Sequence, residues 1–180
     1  MKDQPMNVYR LSAAENAWRL AHPEAESASS IRLFRSLDGS PQSEVWPEPE
    51  LDLVGAEAAE TDFPRLDIFV PVLSQRAALA LRDLLTGVEL LPVVAGERQW
   101  LACNTPVVEG ALDHARSDIK FFKSGKVMRI LKAEFHTAAI QSHPIFRVAE
   151  VPFGRVFVNE AFVQAVALEP ELKGLALDPP

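Results

Sequence analysis

One cysteine in 180 residues, Cys103, leaves no internal disulfide and no site that needs two thiolates. Set between Ala102 and Asn104 at the end of an apolar run, it reads as a small buried residue in preference to a nucleophile. The eight glycines stand singly, in no G-x-G-x-x-G or G-x-x-x-x-G-K arrangement, so the common phosphate-cradling loops are missing. There is no G-x-S-x-G elbow, and His114, His136 and His143 have no serine or cysteine at motif spacing. No window approaches eighteen uninterrupted apolar residues, and the opening MKDQPMNVYR has no apolar h-region. The expectation is a cytoplasmic protein with neither signal peptide nor membrane span.

Charge of one sign is missing locally. Between Glu44 and Asp62 there are seven carboxylates (Glu44, Glu48, Glu50, Asp52, Glu57, Glu60, Asp62) and no Lys or Arg. Residues 1–62 carry 12 acidic and 5 basic side chains, a net of −7, whereas residues 63–180 carry 13 of each. From Arg116 to Lys132 the bias reverses: Arg116, Lys120, Lys123, Lys126, Arg129 and Lys132 stand against Asp118 alone. Two solvated faces, turned toward each other, account for this blandly. An acidic surface that steers a basic partner is the sharper reading.

What is present is a chain 48% apolar, long enough for one full core, with fourteen prolines that favour short elements. Its centre is Leu73–Asp113. Ser74 is a good N-cap, Ala77, Ala78, Leu81, Leu84 and Leu85 repeat at helical spacing, and Gly87 sits where a helix ends. Val88–Val94, interrupted by Pro92, and Trp100–Cys103 read as a strand pair across a turn at Ala95–Gln99. Upstream, Asn7–Leu11 is a strand, Ser12–Leu20 a short helix, Glu24–Ser30 a loop and Ile31–Arg35 a second strand closed by an Asp38-Gly39 turn. Leu51, Leu53 and Val54 form a short covered strand. Downstream, Asn104–Asp113 turns into one or two helical turns, and Ile119–Phe122 with Val127–Leu131 make a hairpin around Gly125. Ala133–Ile140 is ambiguous between helix and strand. Ile145–Val148 and Val156–Val158 are strands, and Asn159 caps a helix over Glu160–Leu168.

Three groupings could carry chemistry or binding. Asp113, His114, His136 and His143 could converge on a metal only in space, having no helical His pair, so satisfied edge histidines are the default. The basic hairpin with Phe121 and Phe122 has the ingredients of a strand-presented platform for single-stranded nucleic acid, but the net charge of −7 opposes it. Trp46, in a polar stretch, either plugs an edge of the core or is an exposed interface anchor.

Several phrases, in order, resemble the immunity proteins encoded beside toxins in bacterial polymorphic toxin systems, specifically the eleventh numbered immunity family, first grouped as a domain of unknown function. They are Val8-Tyr9-Arg10-Leu11, the Leu37-Asp38-Gly39 turn followed by Trp46, the Ser74–Gly87 helix, Glu89-Leu90-Leu91-Pro92-Val93 and Val107–Asp118. The end is most similar: Ile145-Phe146-Arg147, then Val158-Asn159-Glu160-Ala161-Phe162, then Leu172-Lys173-Gly174-Leu175. Lys173 departs from the small polar residue of the pattern, and the acidic Glu48–Asp62 stretch is less familiar. The resemblance spans Val8–Leu177. It implies a non-enzymatic protein that binds and neutralises a cognate toxin as a heterodimer, with no catalytic residue, cofactor or metal ligand to carry over.

The combined expectation is an α+β protein, a mostly antiparallel sheet with two or three short helices packed against it, in one domain. Residues 1–66 would be an acidic, loop-rich part and 67–178 the family-like core. Trp46, Glu44, Glu48, Glu50, Asp52 and Glu57 would bind the partner; nucleic acid and membrane would not, and self-association is left open. The alternatives are a small-molecule-binding or regulatory domain, marked by a deep apolar pocket with converging polar groups, and a hydrolase using His136 or His143.

Overall fold

The alternating stretch near the N-terminus forms β1 (Val8–Ala13), which runs on to Ala13 because each residue from Arg10 to Ala13 pairs with the C-terminal segment. The helix expected over Ser12–Leu20 is therefore absent, and a turn leads to β2 (Arg19–Ala21). Residues 31–35, expected as a strand, lie in helix α1 (Ser27–Arg35), and a 3-10 turn replaces the expected loop at Glu24–Glu26. A helical stripe decides this. Ser30, Phe34 and Leu37 are buried at spacings of four and three, while Arg32 and Arg35 face water.

β3 (Glu50–Val54) is the short covered strand, followed by β4 (Arg65–Leu66), β5 (Val72–Leu73) and α2 (Gln75–Ala80). The Ser74 hydroxyl accepts from Ala77 N–H at 3.0 Å, as an N-cap should. The helix ends sooner than its apolar repeat. A 3-10 turn over Arg82–Leu84 takes up the terminal carbonyls, with Leu84 N–H donating to Leu81 O at 2.9 Å. β6 (Glu89–Ala95) and β7 (Arg98–Asn104) are joined by the two-residue turn Gly96-Glu97; Gly96, at φ +61°, supplies the positive φ that such a hairpin needs at its first central position.

Pro92 does not interrupt β6; it pairs with Leu101 inside the strand. β3 meets β6 only at Val94 and Ala95, so the edge beside Pro92 is open and its missing N–H costs no ladder bond. Its carbonyl is satisfied by the Trp46 indole N–H at 2.7 Å. The one-or-two-turn helix expected after Pro106 is instead β8 (Val107–Val108) and a turn. β9 (Asp118–Phe121) and β10 (Val127–Lys132) form the expected hairpin. Then come α3 (Thr137–Ile140), β11 (Ile145–Val148), β12 (Phe157–Asn159), α4 (Glu160–Ala167) and β13 (Leu175–Asp178). Asn159 caps α4, its Oδ1 accepting from Ala161 N–H at 3.0 Å and Phe162 N–H at 3.3 Å.

The computed structural model describes residues 6–55, 60–66 and 70–180. Among these, the strands form a five-stranded sheet in the order β13-β1-β12-β11-β8, a six-stranded sheet in the order β4-β2-β3-β6-β7-β5, and the separate β9–β10 ribbon. Seven of the ten pairings are antiparallel. The α+β class stands, but the single sheet with two or three helices becomes three sheets with four α-helices among the described residues.

Strand alternation sorts the core into layers. Leu91, Val93, Trp100 and Ala102 face a cluster closed by Phe34, Leu37 and Trp46. Leu90, Leu101 and Cys103, on the opposite face, share a central cluster with α2, with Phe162 of α4 and with Tyr9, Ile145 and Val158 of the five-stranded sheet. The far face of that sheet, Val8, Phe146, Val148 and Phe157, packs on Leu112, Ala133 and Ile140. The acidic first third is not an appendage: β1 lies inside one sheet and β2 and β3 inside the other.

Candidate partner-binding surface

The six residues expected to meet a partner divide. Glu44, Glu48, Glu50 and Asp52 are exposed, whereas Glu57 lies outside the described residues. On β3, Glu50 and Asp52 point outward because Leu51 and Leu53 point into the core. Exposed Val45 and Val54 flank them, Val45 at 75%. Glu48 holds φ +51° between two prolines, unusual for a residue with a Cβ, and its carboxylate accepts from Gln99 Nε2 at 3.0 Å. Trp46 is half-buried, edge-on to Phe34 with centroids 5.5 Å apart, and its N–H is taken by Pro92 O. It closes the open side of β6, the edge-plugging role.

Asp62, the last of the seven carboxylates, is 2% exposed and knots three segments together. It accepts from Arg76 Nη2 at 2.7 Å and Nε at 3.0 Å, from Ser74 Oγ at 2.6 Å and from Lys173 N–H at 3.0 Å. Burial opposes its charge, but these bonds outweigh burial and hold the carboxyl below its ordinary value. Beside it, Gly174 has φ +91°, and a Cβ there would lie 1.7 Å from Thr61 Oγ1. The Lys173-Gly174 phrase is thus a docking point for Thr61-Asp62.

A second knot fixes the Leu37–Ser43 loop. Glu89 accepts from Gln42 N–H and Ser43 N–H at 2.9 and 2.8 Å, and Asn104 bridges Gly39 N–H, Ser40 O and Glu89. Burial raises the Glu89 carboxyl, but the bonds from Asn104, Gln42 and Ser43 prevail and lower it. Arg147, 1% exposed on the Ile145 side of β11, donates from Nη1 to Leu37 O. Burial pushes its guanidinium down to about 10, with the Asp38 carboxylate acting the other way. Cys103 itself is fully buried and pushed up to about 12, so its thiol is protonated and inert near neutrality.

The histidines do not assemble a site. His114 Nε2 meets Glu150 at 2.6 Å on the surface, His136 and His143 lie on either side of α3, and no group of three metal-ligating residues occurs among the described residues. A cavity of about 480 Å³ lies between the sheets, lined mainly by Leu11, Phe63, Leu66, Val70, Val72 and Leu175. Among the described residues its polar lining side chains are Arg65 and Ser12, and Ser12 Oγ is bonded to Asp178 Oδ2 at 2.9 Å. A broader, more polar groove of about 730 Å³ runs past Tyr9, Asp113, Arg116, Glu134 and His136, with Arg116 and Glu134 paired at 3.4 Å.

The β9–β10 ribbon is different. Ile119 and Ile130 tack its base to the core, while Phe121 and Phe122 are 51% and 54% exposed and Met128 and Leu131 also face water. Lys132 and Arg116 share Glu134 at 2.8 and 3.4 Å, so both cations at the base are engaged. Toward the tip, Lys120, Lys123, Lys126 and Arg129 have no ion-pair partner among the described residues, and Lys120 lies directly across from Arg129. Like charges opposite one another on a ribbon are destabilising.

No protein-family model matches the chain, and no curated protein matches it in sequence. The exposed carboxylates and the basic hairpin were legible as charge runs. The knots at Asp62 and Asn104 are not legible, because each is completed by a distant segment, Lys173 lying 111 residues from Asp62 and Gly39 65 from Asn104.

Proposed function

We propose that this chain is an immunity-type protein that neutralises a cognate toxin by docking onto it, without catalysis of its own. The observation that carries the reading is the exposed carboxylate face of Glu44, Glu48, Glu50 and Asp52, with Val45 and Val54 beside it. Glu50 and Asp52 stand on β3, an inner strand paired on both sides, and Glu44 lies in the loop that the Trp46 bond to Pro92 O ties down. Uncompensated carboxylates around small apolar contacts suit rapid capture of a basic protein surface. The family-like segments from Val8 to Leu177 add their weight. No helix among the described residues is long and apolar enough to cross a membrane, and a cytoplasmic site of action fits a protein that guards the cell making the toxin.

Co-expression with the product of the neighbouring gene tests this. The expected result is a stable heterodimer burying about 1,600 Å², and growth in cells that the product alone arrests. Absence of both binding and rescue would end the proposal. The second reading, a small-molecule-binding domain, is favoured by the 480 Å³ cavity. Its mainly apolar lining calls for an apolar ligand, and a thermal shift with aliphatic probes would reveal one.

A further inference from the structure

The two charge blocks do not neutralise each other within one molecule. Among the described residues, Glu60 pairs with Arg98 and Asp62 with Arg76, while the cations at the ribbon base pair with Glu134. No ion pair joins the Glu44–Asp52 face to the β9–β10 tip. Each surface is left with uncompensated charge of one sign and with exposed apolar side chains: Val45 and Val54 on the acidic face, Phe121, Phe122, Met128 and Leu131 on the ribbon.

We infer that the occupant of the ribbon is a second copy of this chain, whose Glu44, Glu50 and Asp52 receive Lys120, Lys123, Lys126 and Arg129, the exposed valines meeting the ribbon's apolar side chains. Three features favour this occupant. The complementary surface is present on the same chain. The Lys120–Arg129 repulsion across the ribbon is relieved by carboxylates placed between them. The exposed Phe121, Phe122 and Met128 are of residue types enriched at protein interfaces, the lysines and carboxylates forming the polar rim around them, and a nucleic-acid strand would leave Met128 and Leu131 without a role, besides being repelled by a chain of net charge −7. Every copy carries both surfaces, so a two-fold pair satisfies both contacts at once, whereas a single head-to-tail contact leaves one surface of each kind open. The inference goes beyond toxin neutralisation and is independent of it. Both uses draw on the acidic face, so a partner taking that face would displace the second copy.

Sedimentation velocity on the full chain at low ionic strength is the test, with two charge-reversed forms. One carries Lys120→Glu, Lys123→Glu, Lys126→Glu and Arg129→Glu; the other carries Glu44→Lys, Glu50→Lys and Asp52→Lys. All seven positions are exposed, and circular dichroism with thermal melting checks that both forms stay folded. The wild type is expected to form dimers that weaken about ten-fold or more in roughly 1 M salt, where screening extends only about 3 Å. Each reversed form alone is expected to be monomeric, and an equimolar mixture of the two to regain the dimer, because mixing restores opposite signs at both contacts. A wild type that stays monomeric at sub-millimolar concentration overturns the inference. So does association indifferent to both reversals, an open-ended series of larger species, or a monomer whose ribbon binds oligothymidine instead.

Discussion

Arg147 and the β9–β10 ribbon treat the same chemical group in opposite ways. Arg147 is 1% exposed, bonded to Leu37 O and crowded by Cys103 and the Leu37–Ser43 loop. The ribbon's Lys120 and Arg129 are exposed, set against each other and without an ion-pair partner among the described residues. A buried cation is costly, and the donation from Arg147 Nη1 to Leu37 O and Pro152 O ties two loops to β11 as an internal strut. An exposed unpaired cluster adds nothing to the fold and is available for recognition. The difference separates residues that hold this protein together from those that can act on something else.

The sharpest way to break that contrast is to remove the strut. Arg147→Ala leaves a cavity and strips Leu37 O of its donor, an expected loss of about 3–5 kcal/mol. It would be read as a lower urea midpoint at unchanged slope. Gly174→Ala comes next, at about 2–4 kcal/mol, since φ +91° and the Thr61 contact both resist a Cβ. Adding Thr61→Ala should recover the steric part and leave only the backbone strain, a coupling that a double-mutant cycle isolates.

Asp62→Asn is expected to cost about 2–3 kcal/mol, because charge-assisted bonds to Arg76, Ser74 and Lys173 N–H weaken together. It also has a pH signature. The folded-state pKa values of Asp62 and Glu89 are both depressed, so their contribution is fully present above the ordinary carboxylate range. It is lost as pH falls through the depressed folded values. The wild type should therefore lose stability below about pH 4, and Asp62→Asn should flatten that acid limb when midpoints are measured across pH. Trp46→Phe keeps a ring against Phe34 but deletes the bond to Pro92 O, for about 1 kcal/mol. At the small end, Phe121→Ser with Phe122→Ser should move stability by no more than about 0.5 kcal/mol; a larger loss would place the ribbon among the structural elements.

Legibility followed the range of the interactions. Ser74, Asn159, Gly96 and Gly125 announce caps and turns because their partners lie within a few residues, and the hairpin and both caps are where the sequence puts them. The strand expected at Ile31–Arg35 failed because five residues are too short a window to tell alternation from a helical stripe that begins at Ser30 and closes at Leu37. Pro92 misled for a related reason: a proline forbids a ladder bond only where a neighbouring strand exists, and whether β3 reaches it is set 40 residues away. Of the surface expected to bind a partner, the exposed carboxylates are readable from charge, but only the fold, which sets Pro92 O against the Trp46 indole N–H, assigns Trp46 to packing.

By itself the sequence determined the α+β class, the positions of most turns and caps, and the division into an acidic and a basic block, all of which depend on local backbone preference or on counting. Tertiary structure alone decided that the acidic third threads through both sheets, that Asp62 is a sealed knot while Glu50 and Asp52 face water, and that one arginine is a strut and another a free contact. The physical reason is that a charged side chain reads the same in a string of letters whether or not a donor comes to meet it. Only folding brings Lys173 to Asp62 and Leu37 to Arg147.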